Sequence, residues 1–160
     1  MTIDNKISRR VILQGAGAVA LVGLGNLPFG AMPAFAANDK YPEGAFKAKS
    51  EADAIKALYG KTAEASDKIK LDAPEIAENG AVVPVAISTT LADVTAISFL
   101  VTENPVALVA SYKIPAGTMP SIANRIKMAK TSNVLVLVEA GGKLYSATKE
   151  VKVTVGGCGG

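Results

Sequence analysis

The chain has 160 residues, 17 basic and 14 acidic side chains, no histidine, no tryptophan and a single cysteine. That composition excludes an imidazole general base, a His-paired nucleophile, a His-based metal site and a multi-cysteine zinc site. The net charge of +3 comes without a basic cluster, so there is no electrostatic footprint for nucleic acid.

Residues 1–36 read as an address. Ser8-Arg9-Arg10-Val11-Ile12-Leu13 is a twin-arginine pattern, a glycine-dotted apolar run extends from Val11 to Gly25, and Ala34-Phe35-Ala36 is an A-x-A cleavage site. The apolar run is shorter than the roughly 20 residues that a membrane span needs. The segment is therefore expected to be a cleaved twin-arginine (Tat) signal peptide, leaving no membrane attachment in the mature form. It carries three basic residues and one acidic residue, so its loss takes the net charge from +3 to +1. The expected location is the periplasm, an oxidising compartment. Residues 37–155 then suit one domain with one core, and 156–160 form a tail.

Ala37 to Lys49 reads as a loose polar lead. Ser50 is a candidate N-cap, with Glu51 and Asp53 in a first turn, an apolar stripe of Ala54, Ile55, Ala57 and Leu58, and a stop at Gly60. This predicts one short helix over about 50–60. From Ile69 the period drops to two, with Ile69 and Leu71 alternating with polar residues. Asn79-Gly80 is a strong turn pair. Val83, Val85 and Ile87 share one strand face, and Pro84 within that run predicts an edge position or a bulge. Thr95 to Thr102 and Val106 to Ile114 are β-rich, separated by a Glu103-Asn104-Pro105 turn, and residues 115–120 are a loop. Ile122 to Ala129 fits either a helical turn or a strand with Ile122, Asn124, Ile126 and Met128 on one face. The all-β context favours strand. Asn133 to Ala140 is a continuous apolar run, predicting a buried central strand. Gly141-Gly142 is a hairpin turn, and Lys143 to Val155 is one long strand or two broken near Ala147. Short strands at regular spacing predict an all-β protein, a β-sandwich with a short N-terminal helix.

The chemistry converges on the last five residues, Gly156-Gly157-Cys158-Gly159-Gly160. Glycine visits φ > 0 freely, so the tail is expected to be a flexible C-terminal arm. Cys158 is the third residue beyond Val155, so the thiol can stand roughly 10 Å off the domain. A free thiol has a pKa near 8.5, and no helix N-terminus or histidine adjoins it in sequence to lower that value. The carboxylate of Gly160, two residues on, disfavours a second negative charge. Activation is therefore expected from a partner, which suits a carrier better than an enzyme. No catalytic residue, metal or cofactor is expected within the chain. Glu75 and Glu78 could pair for acid–base work, but they lie beside a turn and read as solvated. A lone cysteine in an oxidising compartment can also staple two chains, so a structural β-sandwich joined by an inter-chain disulfide through Cys158 remains the alternative.

Val151 to Gly160 (VKVTVGGCGG) resembles the C-terminus of the SoxY family, the sulfur-carrier subunit of the bacterial thiosulfate-oxidising (Sox) system. Leu71 to Gly80 (LDAPEIAENG), Val83-Pro84-Val85, Glu103-Asn104-Pro105 and Arg125-Ile126-Lys127-Met128 are similar to the family as well, and the likeness covers essentially all of 50–160. The resemblance implies an immunoglobulin-like β-sandwich that pairs with SoxZ as a heterodimer and is exported folded. It implies that Cys158 is the covalent attachment site and that Gly156, Gly157, Gly159 and Gly160 form a swinging arm that threads narrow channels. It implies transient contacts with a haem enzyme (SoxXA) that joins thiosulfate to the cysteine, a hydrolase (SoxB) that releases sulfate, and a sulfane dehydrogenase (SoxCD) that oxidises the remaining sulfur.

Overall fold

The computed structural model describes residues 41–155. Within that range there is one helix of eight residues, α1 (Glu51–Leu58), preceded by a single 3-10 turn at Ala45–Lys47. Ser50 takes the extended conformation of an N-cap, and its Oγ accepts the Asp53 N–H at 3.1 Å. Glu51 and Asp53 sit in the first turn, where the helix dipole favours acids. Gly60, at φ +59°, donates its N–H to the carbonyls of Ile55 and Lys56 and closes the helix in the left-handed conformation.

Nine strands follow in chain order: β1 (Ala63–Ala65), β2 (Ile69–Asp72), β3 (Ile76–Ala77), β4 (Val83–Thr89), β5 (Val94–Val101), β6 (Leu108–Lys113), β7 (Ser121–Ile126), β8 (Ser132–Ala140) and β9 (Lys143–Val153). The larger sheet runs β1-β9-β8-β5-β6, with β3 also on the outer edge of β9; the smaller runs β2-β4-β7. Two face-to-face sheets with one short helix form the expected all-β sandwich of immunoglobulin-like type.

Side-chain alternation explains the layering. Ile97, Phe99 and Val101 of β5 and Val134, Val136 and Val138 of β8 share the inter-sheet core with Val83, Val85 and Ile87 of β4, Ile126 of β7 and Val151 of β9. The other face of the larger sheet is not wet. Leu100, Leu135, Leu137 and Leu144 lie under Ala54, Ile55, Leu58 and Tyr59 of the helical segment. Both faces of β8 are thus covered, which is why its sequence reads as an unbroken apolar run. Ser98, buried on this second face, is satisfied by the Tyr59 hydroxyl at 2.7 Å and donates to Ser111 Oγ at 2.9 Å.

Gly141 and Gly142, at φ +55° and +77°, form the two-residue turn between β8 and β9, in register from Ala140↔Lys143 to Ser132↔Val151. β9 is one strand of eleven residues, unbroken at Ala147, which pairs with Val136. The ambiguous 122–129 segment is a strand over Ser121–Ile126. The expectation drawn from Pro84 needs correcting, because β4 is the middle strand of its sheet. Pro84 opposes Arg125 of β7, but β2 pairs with β4 only from Ala86 onwards. The proline therefore lies at a locally open stretch of a central strand, where a missing N–H breaks no ladder with β2.

Candidate functional site: the root of the C-terminal arm

Cys158 and its flanking Gly156, Gly157, Gly159 and Gly160 lie outside the described residues, as does the segment 1–36 expected to be a signal peptide. What the structure describes is the point from which the tail departs, and this is held from three sides. β9 loses β8 as a partner after Val151, and other groups take over at that position. The Val153 N–H donates to Thr131 Oγ1 at 2.9 Å. On the opposite edge, β3 runs parallel to the strand end, pairing Ile76 with Lys152 and Ala77 with Val153. The Lys152 N–H donates to the Glu75 carbonyl at 2.9 Å, and the Thr154 N–H to the Ala77 carbonyl at 3.1 Å. Thr154 Oγ1 adds a 2.8 Å bond to the Glu78 carbonyl. The last hold is Gly80, whose N–H donates to the Val155 carbonyl at 2.8 Å.

Gly80 is buried, and its own carbonyl accepts the Met128 N–H at 2.7 Å, which ties the arm root to the segment after β7. That segment is fixed in turn by Asn104. Its Nδ2 donates to the Lys127 carbonyl at 2.8 Å, and its Oδ1 accepts the Ala129 N–H at 2.9 Å. One side chain thus reproduces the donor–acceptor pair of a strand neighbour. Asn79 holds the turn beneath, its Oδ1 accepting the Ala81 N–H at 2.8 Å. Lys149, on the same edge of β9, donates from Nζ to the Ala73 carbonyl.

The segment 73–80 is therefore a backbone clamp on the end of β9. Glu75 and Glu78 are exposed and contribute their carbonyls here, so the acid–base pairing considered for them has no counterpart in this arrangement. Sequence reasoning saw turn chemistry in Asn79, Gly80 and Asn104 but missed their target. The sequence carried one usable signal: a two-residue strand such as β3 is too short to show a period, yet Pro74 and Asn79-Gly80 bracket it. Arg125 lies exposed on β7, and Lys127 enters the site through its carbonyl alone.

Two side chains have displaced proton affinities, and both lie away from the arm root. Glu139, near the hairpin end of β8, is held below the usual carboxylate range, chiefly by its hydrogen bond from Lys61 Nζ at 2.5 Å and secondarily by Thr95. Tyr59 is pushed above the usual tyrosine value by burial beneath the helix. The Glu139 shift contributes stability above the ordinary carboxylate pKa and loses it as pH falls through its lowered folded value. The Tyr59 shift reflects the cost of burying a phenolate: the neutral phenol gains nothing from it, and the fold loses stability as pH rises above 10 toward the raised folded value. Among the described residues no group of three His, Cys, Asp or Glu side chains could hold a metal ion, and no helix is long and apolar enough to cross a membrane. A hollow of about 550 Å³ between α1 and β9 is an open groove whose lining includes Lys56, Lys61, Ser146 and Thr148.

A family model described as "Sulfur oxidation protein SoxY" matches residues 55–158. Among solved structures, the sulfur carrier protein SoxY from Chlorobium limicola f thiosulfatophilum superposes with a TM-score of 0.60 at 46% identity, covering 65% of this chain and 96% of that one. A superoxide reductase (neelaredoxin) from Ignicoccus hospitalis and a single-substitution form of it match at 18% identity with TM-scores of 0.49 and 0.48. They cover 54% and 66% of this chain and 80% and 90% of their own. At those values the likeness carries no argument about chemistry. No curated protein gives a significant match. The clamp residues 73–80, the Asn104 brace and Cys158 all fall inside the matched range, and the chain belongs to the SoxY family of sulfur oxidation proteins.

Proposed function

We propose that this protein is a periplasmic sulfur-compound carrier, exported by the twin-arginine route, that holds thiosulfate-derived intermediates covalently on Cys158. The observation that supports this most is the contrast at Val155. Up to that residue the exit of β9 is hydrogen-bonded step by step, and beyond it the sequence is four glycines around one cysteine. A fixed origin followed by a short glycine tether delivers a sulfur atom to a site outside the carrier. A catalytic constellation within the chain would instead need reacting groups held around the thiol.

In this reading the Cys158 thiolate and thiosulfate form an S–S bond and release two electrons, which the haem of a SoxXA-type enzyme accepts. Water then cleaves the sulfone from the adduct as sulfate at a SoxB-type hydrolase, leaving a cysteine persulfide. Where a SoxCD-type dehydrogenase is present, it oxidises that remaining sulfur with water to the sulfonate level, six electrons passing to the dehydrogenase's electron acceptor, and a second hydrolysis releases sulfate and frees the Cys158 thiolate. The carrier supplies no acid or base; it supplies reach, and Gly156, Gly157, Gly159 and Gly160 give the arm its slenderness. A SoxZ-type β-sandwich is the permanent partner. The test is reconstituted thiosulfate oxidation with Gly157→Val and Gly159→Val introduced together. β-Branched residues stiffen and widen the tether without touching the core. Oxidation should be lost while the melting curve is unchanged, and normal oxidation by this variant would contradict the tether. Loss of a disulfide-linked assembly in Cys158→Ser with oxidation intact would favour the crosslinking alternative.

A further inference from the structure

Antiparallel pairing brings the loops of this sandwich to two ends. The end that carries the arm contains residues 73–82, 102–107 and 127–131 together with the close of β9. Seven large apolar side chains are exposed among the described residues, and four of them, Ile76, Val82, Val106 and Val155, belong to this end. Ile76, Val82 and Val155 are each more than half exposed, at 59%, 56% and 62%. Ile76 sits on the clamp, Val155 is held by it, and Val82 lies just past it. Ile76 is the residue opposite Lys152, Val155 is bound to Gly80, and Val82 lies two residues beyond Gly80. Their alternating neighbours Ala77 and Val83 are buried, so the sequence has placed bulky apolar groups outward where the core does not need them.

The charges at the same end cancel. Glu75, Glu78 and Glu103 are matched by Lys127, Lys130 and Lys152, and Lys130 pairs with Glu103 at 2.7 Å. This surface therefore has no single-sign field with which to steer a charged partner.

We infer that Ile76, Val82 and Val155 form an apolar collar that seats against the uncharged rim of the entrance through which an enzyme admits the arm. The inference rests on the carrier reading, and chain length singles out the occupant. Cys158 is the third residue beyond Val155, so the thiol reaches at most about 10 Å beyond the body. An enzyme whose reacting groups surround Cys158 must bring its own surface onto whatever encircles Val155. Exposed apolar side chains stand there among charges of both signs, and desolvating them contributes to each docking event without an ordered charge network. Such contacts suit a carrier that must leave each enzyme again.

The experiment measures the rate at which the thiosulfate-loading enzyme modifies Cys158 in the whole mature protein, paired with its partner subunit, by intact mass. Ile76→Asp and Val82→Asp are introduced singly and together, with Met119→Asp as a control, since Met119 is 80% exposed in the loop before β7 at the opposite end. The double variant should load at least about tenfold more slowly, as expected for losing central apolar contacts of an interface. Its reaction with a small maleimide should be unchanged, the control should load normally, and wild-type loading should vary little with salt. Equal loading of double variant and wild type would overturn the collar while leaving the carrier reading standing. Slowing by Met119→Asp to the same degree, steep salt dependence of wild-type loading, or loss of the partner subunit from the double variant would also overturn it. If wild type itself takes no adduct, the carrier reading fails and the collar with it.

Discussion

Asn104 shows how far a single side chain can shape this site from a distance. It does not touch β9, yet its amide satisfies Lys127 and Ala129 on the segment whose Met128 N–H binds Gly80, and Gly80 holds Val155. A net hydrogen bond contributes about 1 kcal/mol, and an abandoned partner costs about 1–3 kcal/mol. Asn104→Ala should therefore lower unfolding stability by about 1–2 kcal/mol, given that the residue is only half-buried. Asn104→Asp keeps the acceptor for Ala129 and should lose roughly half as much. Denaturant midpoints read both, together with amide exchange at Gly80, which should quicken in Asn104→Ala. Unchanged exchange there would mean that the brace and the clamp are independent.

The residue types at these positions were legible in the sequence, and their use was not. Asn79-Gly80 and Asn104-Pro105 announce turns, and turns are what they make. A turn signal gives the local bend and says nothing about which distant strand receives the freed backbone groups. The carbonyls of Glu75, Ala77 and Glu78 are anonymous in a sequence, yet they hold the arm root. Chemistry carried by the main chain leaves no residue signature, so the candidate acids drew notice for their carboxylates and entered the structure through their carbonyls.

At the scale of elements, the long patterned segments behaved as periodicity predicts. β4, β5, β8 and the hairpin to β9 lie where alternation and the Gly141-Gly142 turn place them. β1 and β3 escaped because each is three residues or fewer and exists only by pairing in parallel with β9. Pro84 misled for a related reason: an edge can be a stretch of a strand and need not be the whole of it. The apolar run of β8 has its own physical test. Leu137 faces the helix side and Val136 the inter-sheet side, so the strand joins two cores. Leu137→Ala should cost about 2–5 kcal/mol, as for other buried leucines. It should speed amide exchange in α1 more than in β4, which it does not face. A uniform increase across both would show that the two cores unfold as one.

Across the whole molecule, rigidity and sequence simplicity meet at one boundary. Two sheets and a helix position a strand end, a backbone clamp fixes where that strand stops, and the tail with the only cysteine begins there. Among the described residues, Glu139 and Tyr59, whose proton affinities the fold displaces, lie in the body and away from the strand end. On the proposed carrier role, such a molecule would hold one sulfur at a short reach from a fixed strand end. The most direct measurement is the intact mass of the mature protein after incubation with thiosulfate and the loading enzyme, followed by fragmentation of its C-terminal peptide. The account predicts a single reductant-labile thiosulfate-derived adduct confined to Cys158; an unmodified chain, or an adduct at any other residue, would contradict it.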